Sequence, residues 1–359
     1  MYNAQDIVFM KKALSLAGKG AGLTGVNPLV GAVLVKDGRV IGQGYHVKDR
    51  LDHAEIVALK GLSFSQTSGA TLYVTLEPCC HINKATPPCT GKLIEAGIGR
   101  VVIGLKDPNM RVCGRGIEIL RTAGILVLDD FMAHESALLN EFYISSIGTS
   151  LPFVAIKQAV SLDGKIAAGD GSSRWISNPD ARKMVHKLRS IYDAVMTSGV
   201  TVVKDDPQLN VRLVKGRNPR KIVVDWGLDT DLNARVYHNG DVILITSMES
   251  DKLKEKLFLK MGVHVRRYDR NGGLRPVLVD LYAMGIGSIL IEAGGRFAAH
   301  LLSERLVNRF IYFVAPLFLG SNGINSMGEL DVGSMSEALV AKFSSVKMIG
   351  DNMMIEVIC

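Results

Sequence analysis

Aromatic residues are scarce in this 359-residue chain: they make up 6%, with 2 tryptophans among them. They do not interleave with basic residues, which argues against a dedicated platform for single-stranded nucleic acid. Proline is modest, at 11 and spread out, so collagen-like and low-complexity chains are excluded despite 37 glycines. No stretch approaches the roughly 20 apolar residues that a membrane helix needs. Asp6, Lys11 and Lys12 interrupt any apolar core of a secretory signal, so the expected compartment is the cytoplasm. Blocks of five like charges are also missing. Lys and Arg number 42 against 35 Asp and Glu, a net +7. The excess is dispersed: 15 basic against 13 acidic residues over 1–150, and 27 against 22 over the rest. Such a balance suits anionic small molecules at least as well as nucleic acid.

What is present points to a globular protein of two domains. Apolar residues make up 47% and charged residues 21%, and the length exceeds one ordinary domain of roughly 100–200 residues. Cysteines number 5, and Cys79, Cys80 and Cys89 lie close together while Cys113 and Cys359 lie far off. In a cytosolic chain a clustered trio reads as metal-binding or catalytic rather than as a disulfide framework.

Residues 3–18 read as an amphipathic helix with Asn3 as N-cap. Two apolar runs, 29–35 and 40–45, meet across Asp37-Gly38 as a β-hairpin. A helix over 53–62, strands at 70–76 and 100–105, helices at 91–96 and 116–123 and a strand at 125–128 follow. This alternation predicts a three-layer α/β/α domain. Residues 132–147 read as one amphipathic helix, and Gly148-Thr-Ser-Leu-Pro152 breaks the pattern. We therefore expect domains at 1–148 and 149–359. The second half alternates again, with strands near 153–160, 194–197, 221–225, 242–246, 263–268, 288–292, 309–315 and 353–358. Helices are expected near 179–191, 251–261, 276–284 and 295–304, and no short internal repeat is found.

His53-Ala54-Glu55 opens a helix, Glu77-Pro78-Cys79 ends a strand, and Cys89 follows Thr86-Pro87-Pro88 at another helix start. One imidazole and two thiolates make three protein ligands, which leaves the fourth zinc position for water as in catalytic sites. Zinc brings the pKa of that water near 7. Glu55, two residues from His53, can face the water without ligating the metal and pass its proton to a departing amine. His-x-Glu, then Pro-Cys, then a further Cys is the pattern of zinc deaminases. Cys80 and His81 are rival third ligands. Cys89 is favoured because a helix start stabilises its thiolate.

The chain closely resembles the family of bifunctional riboflavin-biosynthesis deaminase/reductases over nearly its whole length. The first half carries Asn27-Pro-Leu-Val-Gly31, Gly44-Tyr-His46, His53-Ala-Glu55, Thr75-Leu-Glu-Pro-Cys79, Thr86-Pro-Pro-Cys89 and Asp107-Pro-Asn109. The resemblance implies a cytidine-deaminase-like domain with zinc on His53, Cys79 and Cys89 and Glu55 as catalytic acid/base. It puts substrate contacts on Asn27, His46, Ala54, His81 and Lys84. Three departures are visible: Cys80 replaces a usual Ser, the loop before Cys89 is one residue longer, and Met110 replaces a usual Pro.

The second half resembles the dihydrofolate-reductase-like reductase of that family through Ser161-Leu-Asp-Gly-Lys165, Ser173-Arg-Trp-Ile176, Asp205-Asp-Pro207 and Glu292-Ala-Gly-Gly295. NADPH is then expected at Ala159, Trp175, Thr201 and Asp205. The turn Gly294, Gly295, Arg296, Phe297, Ala298, Ala299 and His300 completes that set. A Gly-Gly between strand and helix can cradle a phosphate on free N–H groups, and no Gly-x-Gly-x-x-Gly fingerprint follows an N-terminal strand, so a Rossmann dehydrogenase is not supported. Substrate contacts fall on Ser173, Arg189, Leu209, Arg212 and Glu292, where the two arginines suit a ribose phosphate. Lys157, on the first strand of the domain and facing with Ala155 and Ala159, is a further candidate. Trp226 stands where a small polar residue is usual. The resemblance thus implies zinc and NADPH as cofactors, phosphoribosylaminopyrimidines as partners and a self-associating chain, with neither nucleic acid nor membrane. A nucleic-acid deaminase would need a basic, aromatic groove, and a zinc-stabilised binding module would need a fourth protein ligand.

Overall fold

The computed structural model describes residues 2–48, 52–80, 88–110 and 112–359. The chain divides into two compact units, Met1–Ser150 and Leu151–Cys359. Among the described residues no helix is long and apolar enough to cross a membrane.

The first unit runs α1 (Ala4–Gly18), β1 (Gly31–Lys36), β2 (Arg39–Tyr45), α2 (Ala54–Leu59), α3 (Phe64–Thr67) and β3 (Thr71–Leu76). It continues with α4 (Cys89–Glu95), β4 (Arg100–Leu105), α5 (Arg115–Thr122), β5 (Leu126–Leu128), α6 (Ala133–Leu139) and α7 (Glu141–Ile147). The sheet order is β2-β1-β3-β4-β5. β1 is antiparallel to β2 and β3, while β3, β4 and β5 are parallel. Met10 and Ala13 of α1 pack on one face with Val33, Tyr73 and Val102. Ala58, Leu93 and Leu120 of α2, α4 and α5 pack on the other with Leu34, Leu72 and Ile103. These are the three expected layers. The Asn3 cap is present as a capping box with Asp6.

The single helix expected over 132–147 is two. Asn140 leaves helical geometry at φ −102°, ψ 19°. Its carboxamide is spent on the backbone of Leu29, accepting from the N–H at 2.7 Å and donating to the carbonyl at 3.0 Å. An Asn side chain that bonds elsewhere offers the backbone an alternative to the helix.

The second unit comprises β6 (Phe153–Ser161), β7 (Lys165–Ala167), α8 (Pro179–Ile191), β8 (Ala194–Ser198), α9 (Gly199–Asp205), β9 (Arg220–Val224) and β10 (Val242–Ser247). Then come α10 (Lys252–Lys260), β11 (His264–Tyr268), α11 (Arg275–Ala283), β12 (Ser288–Ile291), α12 (Gly295–Ser303), β13 (Arg309–Ala315), β14 (Ile324–Asn325), β15 (Lys342–Ile349) and β16 (Asn352–Ile358). Nine strands form one sheet in the order β11-β10-β9-β8-β12-β6-β13-β16-β15. It is parallel from β11 to β13, and β16 and β15 add antiparallel at one edge. The central strands are buried on both faces, as Val-Ile-rich parallel strands must be. Helix α9 and strands β7, β14 and β15 were not expected from periodicity. β15 keeps Phe343, Val346 and Met348 exposed, so it lacks the buried alternation that marks a strand.

Candidate active sites

In the first unit each chemical group sits where an element starts or stops. His53 is the N-cap of α2, in extended geometry. Cys79 follows β3 by three residues, and Cys89 is the first residue of α4 behind Pro88. His53 Nδ1 lies 3.4 Å from Cys79 Sγ and 3.2 Å from Cys89 Sγ, and the three donor atoms lie within 4.8 Å of one another. Tetrahedral zinc with bonds of about 2.0–2.3 Å separates such donors by roughly 3.5 Å. The trio therefore fits a zinc ion, and among the described residues no fourth His, Cys, Asp or Glu joins the cluster. The Cys89 backbone N–H donates to Cys79 Sγ at 3.5 Å. Hydrogen bonding from the Cys89 thiol, then from His53, holds the Cys79 thiol down to about 4 against its burial. Cys89, the donor of that pair and buried, is pushed up.

Glu55 is 3% exposed. Burial pushes its carboxyl above the usual range, and the nearby His53 ring opposes the rise. Ala54 is buried at the same helix start. His46, just past β2, stands edge-on to His53 with ring centroids 5.5 Å apart. Asn27 is exposed in the turn ahead of β1. His81 and Lys84 lie outside the described residues.

Glu77 was quoted in a motif but given no task by sequence. Its buried carboxylate accepts four backbone N–H groups: Asp107 at 3.2 Å, Gly114 at 2.9 Å, Gly116 at 2.9 Å and Ile117 at 3.3 Å. It ties the 107–117 segment to the strand end that presents Cys79. A Cβ on Gly116 would lie 2.3 Å from the Pro78 carbonyl oxygen, so only glycine permits this approach. Glycines 37 and 39 residues downstream of a Glu-Pro-Cys were the only signal.

In the second unit the expected residues gather at the carboxyl ends of the parallel strands, where open α/β sheets bind ligands. Ile156 of β6 pairs with Ile291 of β12, so Lys157 and Glu292 follow side by side. Glu292 Oε1 accepts from Arg189 Nε at 2.6 Å, and Oε2 accepts from Arg189 Nη2 at 3.0 Å and Lys157 Nζ at 3.5 Å. All three side chains are at most 15% exposed. Burial would raise the Glu292 carboxyl, but Arg189 and then Lys157 overcome it and hold it near 2. Arg189 thus turns its fork onto Glu292, and its Nη1 donates to the Asn210 carbonyl at 3.0 Å. Arg212 is exposed. Leu209 is buried at a φ of 51°.

Ala159 follows Lys157 on the same face of β6. Ser198 caps α9 and accepts the Thr201 N–H at 3.3 Å. Gly294 caps α12, and a Cβ on Gly295 would lie 2.8 Å from the carbonyl oxygens of Asn325 and Ser326. Arg296, Phe297, Ala298 and Ala299 follow in the first turns, whereas His300 is turned to Glu304 at 2.9 Å. Arg174 donates to the Asp205 carbonyl at 2.7 Å, and the Ser173 carbonyl accepts from Ile176. Trp175 is 64% exposed, with the Arg182 guanidinium 4.4 Å over its ring. Both line a cavity of about 350 Å³ together with Asn178, Leu317 and Asn352. Trp226 packs partly buried against the core of the unit.

The His53–Cys79–Cys89 set beside buried Glu55 is the donor arrangement of a zinc deaminase, and the second unit is a parallel α/β sheet with a charged cluster at its strand ends. The family model for the cytidine and deoxycytidylate deaminase zinc-binding region matches residues 3–105, and that for the RibD C-terminal domain matches 152–355. Riboflavin biosynthesis protein RibD of Aquifex aeolicus is 40% identical over 98% of this chain and 97% of its own. That of Escherichia coli is 35% identical over 99% of both. The solved diaminohydroxyphosphoribosylaminopyrimidine deaminase/5-amino-6-(5-phosphoribosylamino)uracil reductase of Thermotoga maritima is 37% identical, with a TM-score of 0.87 over 99% of this chain and 98% of that one. The chain belongs to the RibD family of bifunctional riboflavin biosynthesis enzymes.

Proposed function

We propose that the first unit deaminates a diaminohydroxyphosphoribosylaminopyrimidine at Glu55 and that the second reduces the resulting ribosyl side chain to ribityl with NADPH. The observation that carries this reading is the His53–Cys79–Cys89 donor set with Glu55 buried beside it. His53, Cys79 and Cys89 would hold the zinc; bound there, it supplies the Lewis acidity that brings water's pKa near 7. Glu55 takes the proton of the attacking water on its carboxylate and returns it to the departing amine nitrogen, so ammonia leaves. His46, Ala54 and Asn27, with His81 and Lys84, orient the ring.

Bound in the second unit, NADPH supplies the hydride, and the protein orients the sugar carbon against it. Ala159, Trp175, Thr201, Asp205 and the α12 start, from Gly294 through Arg296 to His300, form the cofactor side. Lys157, Ser173, Leu209, Arg212 and Glu292 form the substrate side, with Arg189 fixing Glu292. Glu292 stays anionic and accepts hydrogen bonds from sugar hydroxyls, and exposed Arg212 takes the phosphate. The chain works in the cytoplasm and self-associates. The exposed Phe343, Val346 and Met348 on edge strand β15 support that association, and light scattering tests it.

Turnover of the phosphoribosylaminopyrimidine tests the whole reading, with ammonia and NADPH followed separately. Ammonia release followed by NADPH loss is expected. Zinc-loaded protein that releases no ammonia would overturn it.

A further inference from the structure

His186 precedes Arg189 by three residues on α8, so both face the same way. It is 4% exposed, and its Nδ1 accepts the backbone N–H of Arg212 at 3.1 Å. Arg189 Nη1 meanwhile holds the Asn210 carbonyl at 3.0 Å. Two side chains of one helix therefore grip the 210–212 backbone from one side, and Asn218 Oδ1 takes the Val211 N–H at 2.8 Å. Leu209, next in line, is held in the left-handed region, a conformation a leucine keeps only when its surroundings over-determine it. The Arg212 guanidinium is braced by Asn210 Oδ1 at 2.9 Å. Accepting an N–H requires Nδ1 to be unprotonated. Burial, then Arg189 and Arg212, pulls the His186 ring down to about 4; Lys157 adds to this and Glu292 opposes it.

We infer that His186 is a positioning residue for phosphate recognition by the reductase unit: by fixing the Arg212 backbone it aims the guanidinium at the substrate's 5′-phosphate. The inference deepens the proposed function and rests on Arg212 as the phosphate ligand.

The test compares kcat/KM for the ribotide substrate with that for its dephosphorylated riboside. His186→Leu, His186→Asn and Arg212→Gln are run in the full chain, with NADPH affinity as the check that the unit is folded. Loss of one buried hydrogen bond predicts that His186→Leu lowers the ribotide-to-riboside ratio about tenfold, chiefly through KM. His186→Asn keeps an acceptor near the Nδ1 position and restores most of the ratio. Arg212→Gln lowers the ratio at least as far. An unchanged ratio in Arg212→Gln would overturn the phosphate assignment and the inference with it. A lowered ratio in Arg212→Gln with an unchanged one in His186→Leu would overturn the inference alone. So would a His186→Leu chain that loses both substrates equally or loses NADPH affinity.

Discussion

Glu55 and Glu292 are both buried glutamates at candidate active sites, and their surroundings drive them in opposite directions. Burial is the largest influence on each. Among the described residues no Lys or Arg is one of the main influences on Glu55, and burial raises its carboxyl. Beside Glu292, Arg189 and Lys157 outweigh burial and keep the carboxylate ionised. Neighbouring charge, rather than depth, sets the direction in which each of the two buried carboxyls shifts. Asp6 places this difference outside either site. Its side chain is fully buried in the deaminase unit, yet Arg100 at 2.8 Å and the Tyr73 hydroxyl at 2.7 Å hold it at about 2.

If ion pairing sets the second case, removing the carboxylate charge must strand two cations. Glu292→Gln should destabilise the reductase unit by about 3–5 kcal/mol. The 2 tryptophans, Trp175 and Trp226, both lie in that unit, so a fluorescence-detected denaturant curve reads it selectively.

Glu77 is a third solution, a carboxylate whose hydrogen bonds among the described residues come from backbone N–H groups. Glu77→Gln turns an NH₂ toward some of those donors and should cost about 2–3 kcal/mol, seen by far-UV circular dichroism with the tryptophan transition unmoved. Weaker zinc retention in a chelator competition should accompany it, because the segment it anchors adjoins Cys79.

The smallest effect concerns pH. With a carboxyl near 2 against an ordinary 3.8, folded Asp6 adds about 2 kcal/mol that is complete above pH ~4 and is lost as pH falls toward 2. Asp6→Asn should flatten that part of the stability profile of the deaminase unit. A profile unchanged by the substitution would remove Asp6 from the comparison.

The deaminase constellation was legible in the sequence because each group lies at the end of a local element. His53 and Glu55 share one helix start, and Cys79 and Cys89 mark a strand end and the next helix start. In the reductase cluster Arg189 and Glu292 were nameable by resemblance, and Lys157 by its place on the first strand of the unit. Arg189 and Glu292 are 103 residues apart, and Lys157 lies 135 from Glu292. Only the strand order β8-β12-β6 brings them together. Sequence also suggested Arg189 for a phosphate, and in the fold it pairs with Glu292. Asn140 looked like one more polar position on a helix, because its partner Leu29 is 111 residues away. His186 and Glu77 bond to backbone groups, which side-chain motifs do not mark; for Glu77 the spacing of Gly114 and Gly116 is the one hint.

The division of labour between the two glutamates is tested most directly by Glu55→Gln in the full chain, with zinc content, ammonia and NADPH read on one preparation. Full zinc, ammonia release reduced by about 10²–10⁴-fold, and undiminished NADPH oxidation when deaminated substrate is supplied are expected. Ammonia release at the wild-type rate, or loss of NADPH oxidation alongside it, would show that the two glutamates do not divide the chemistry in this way.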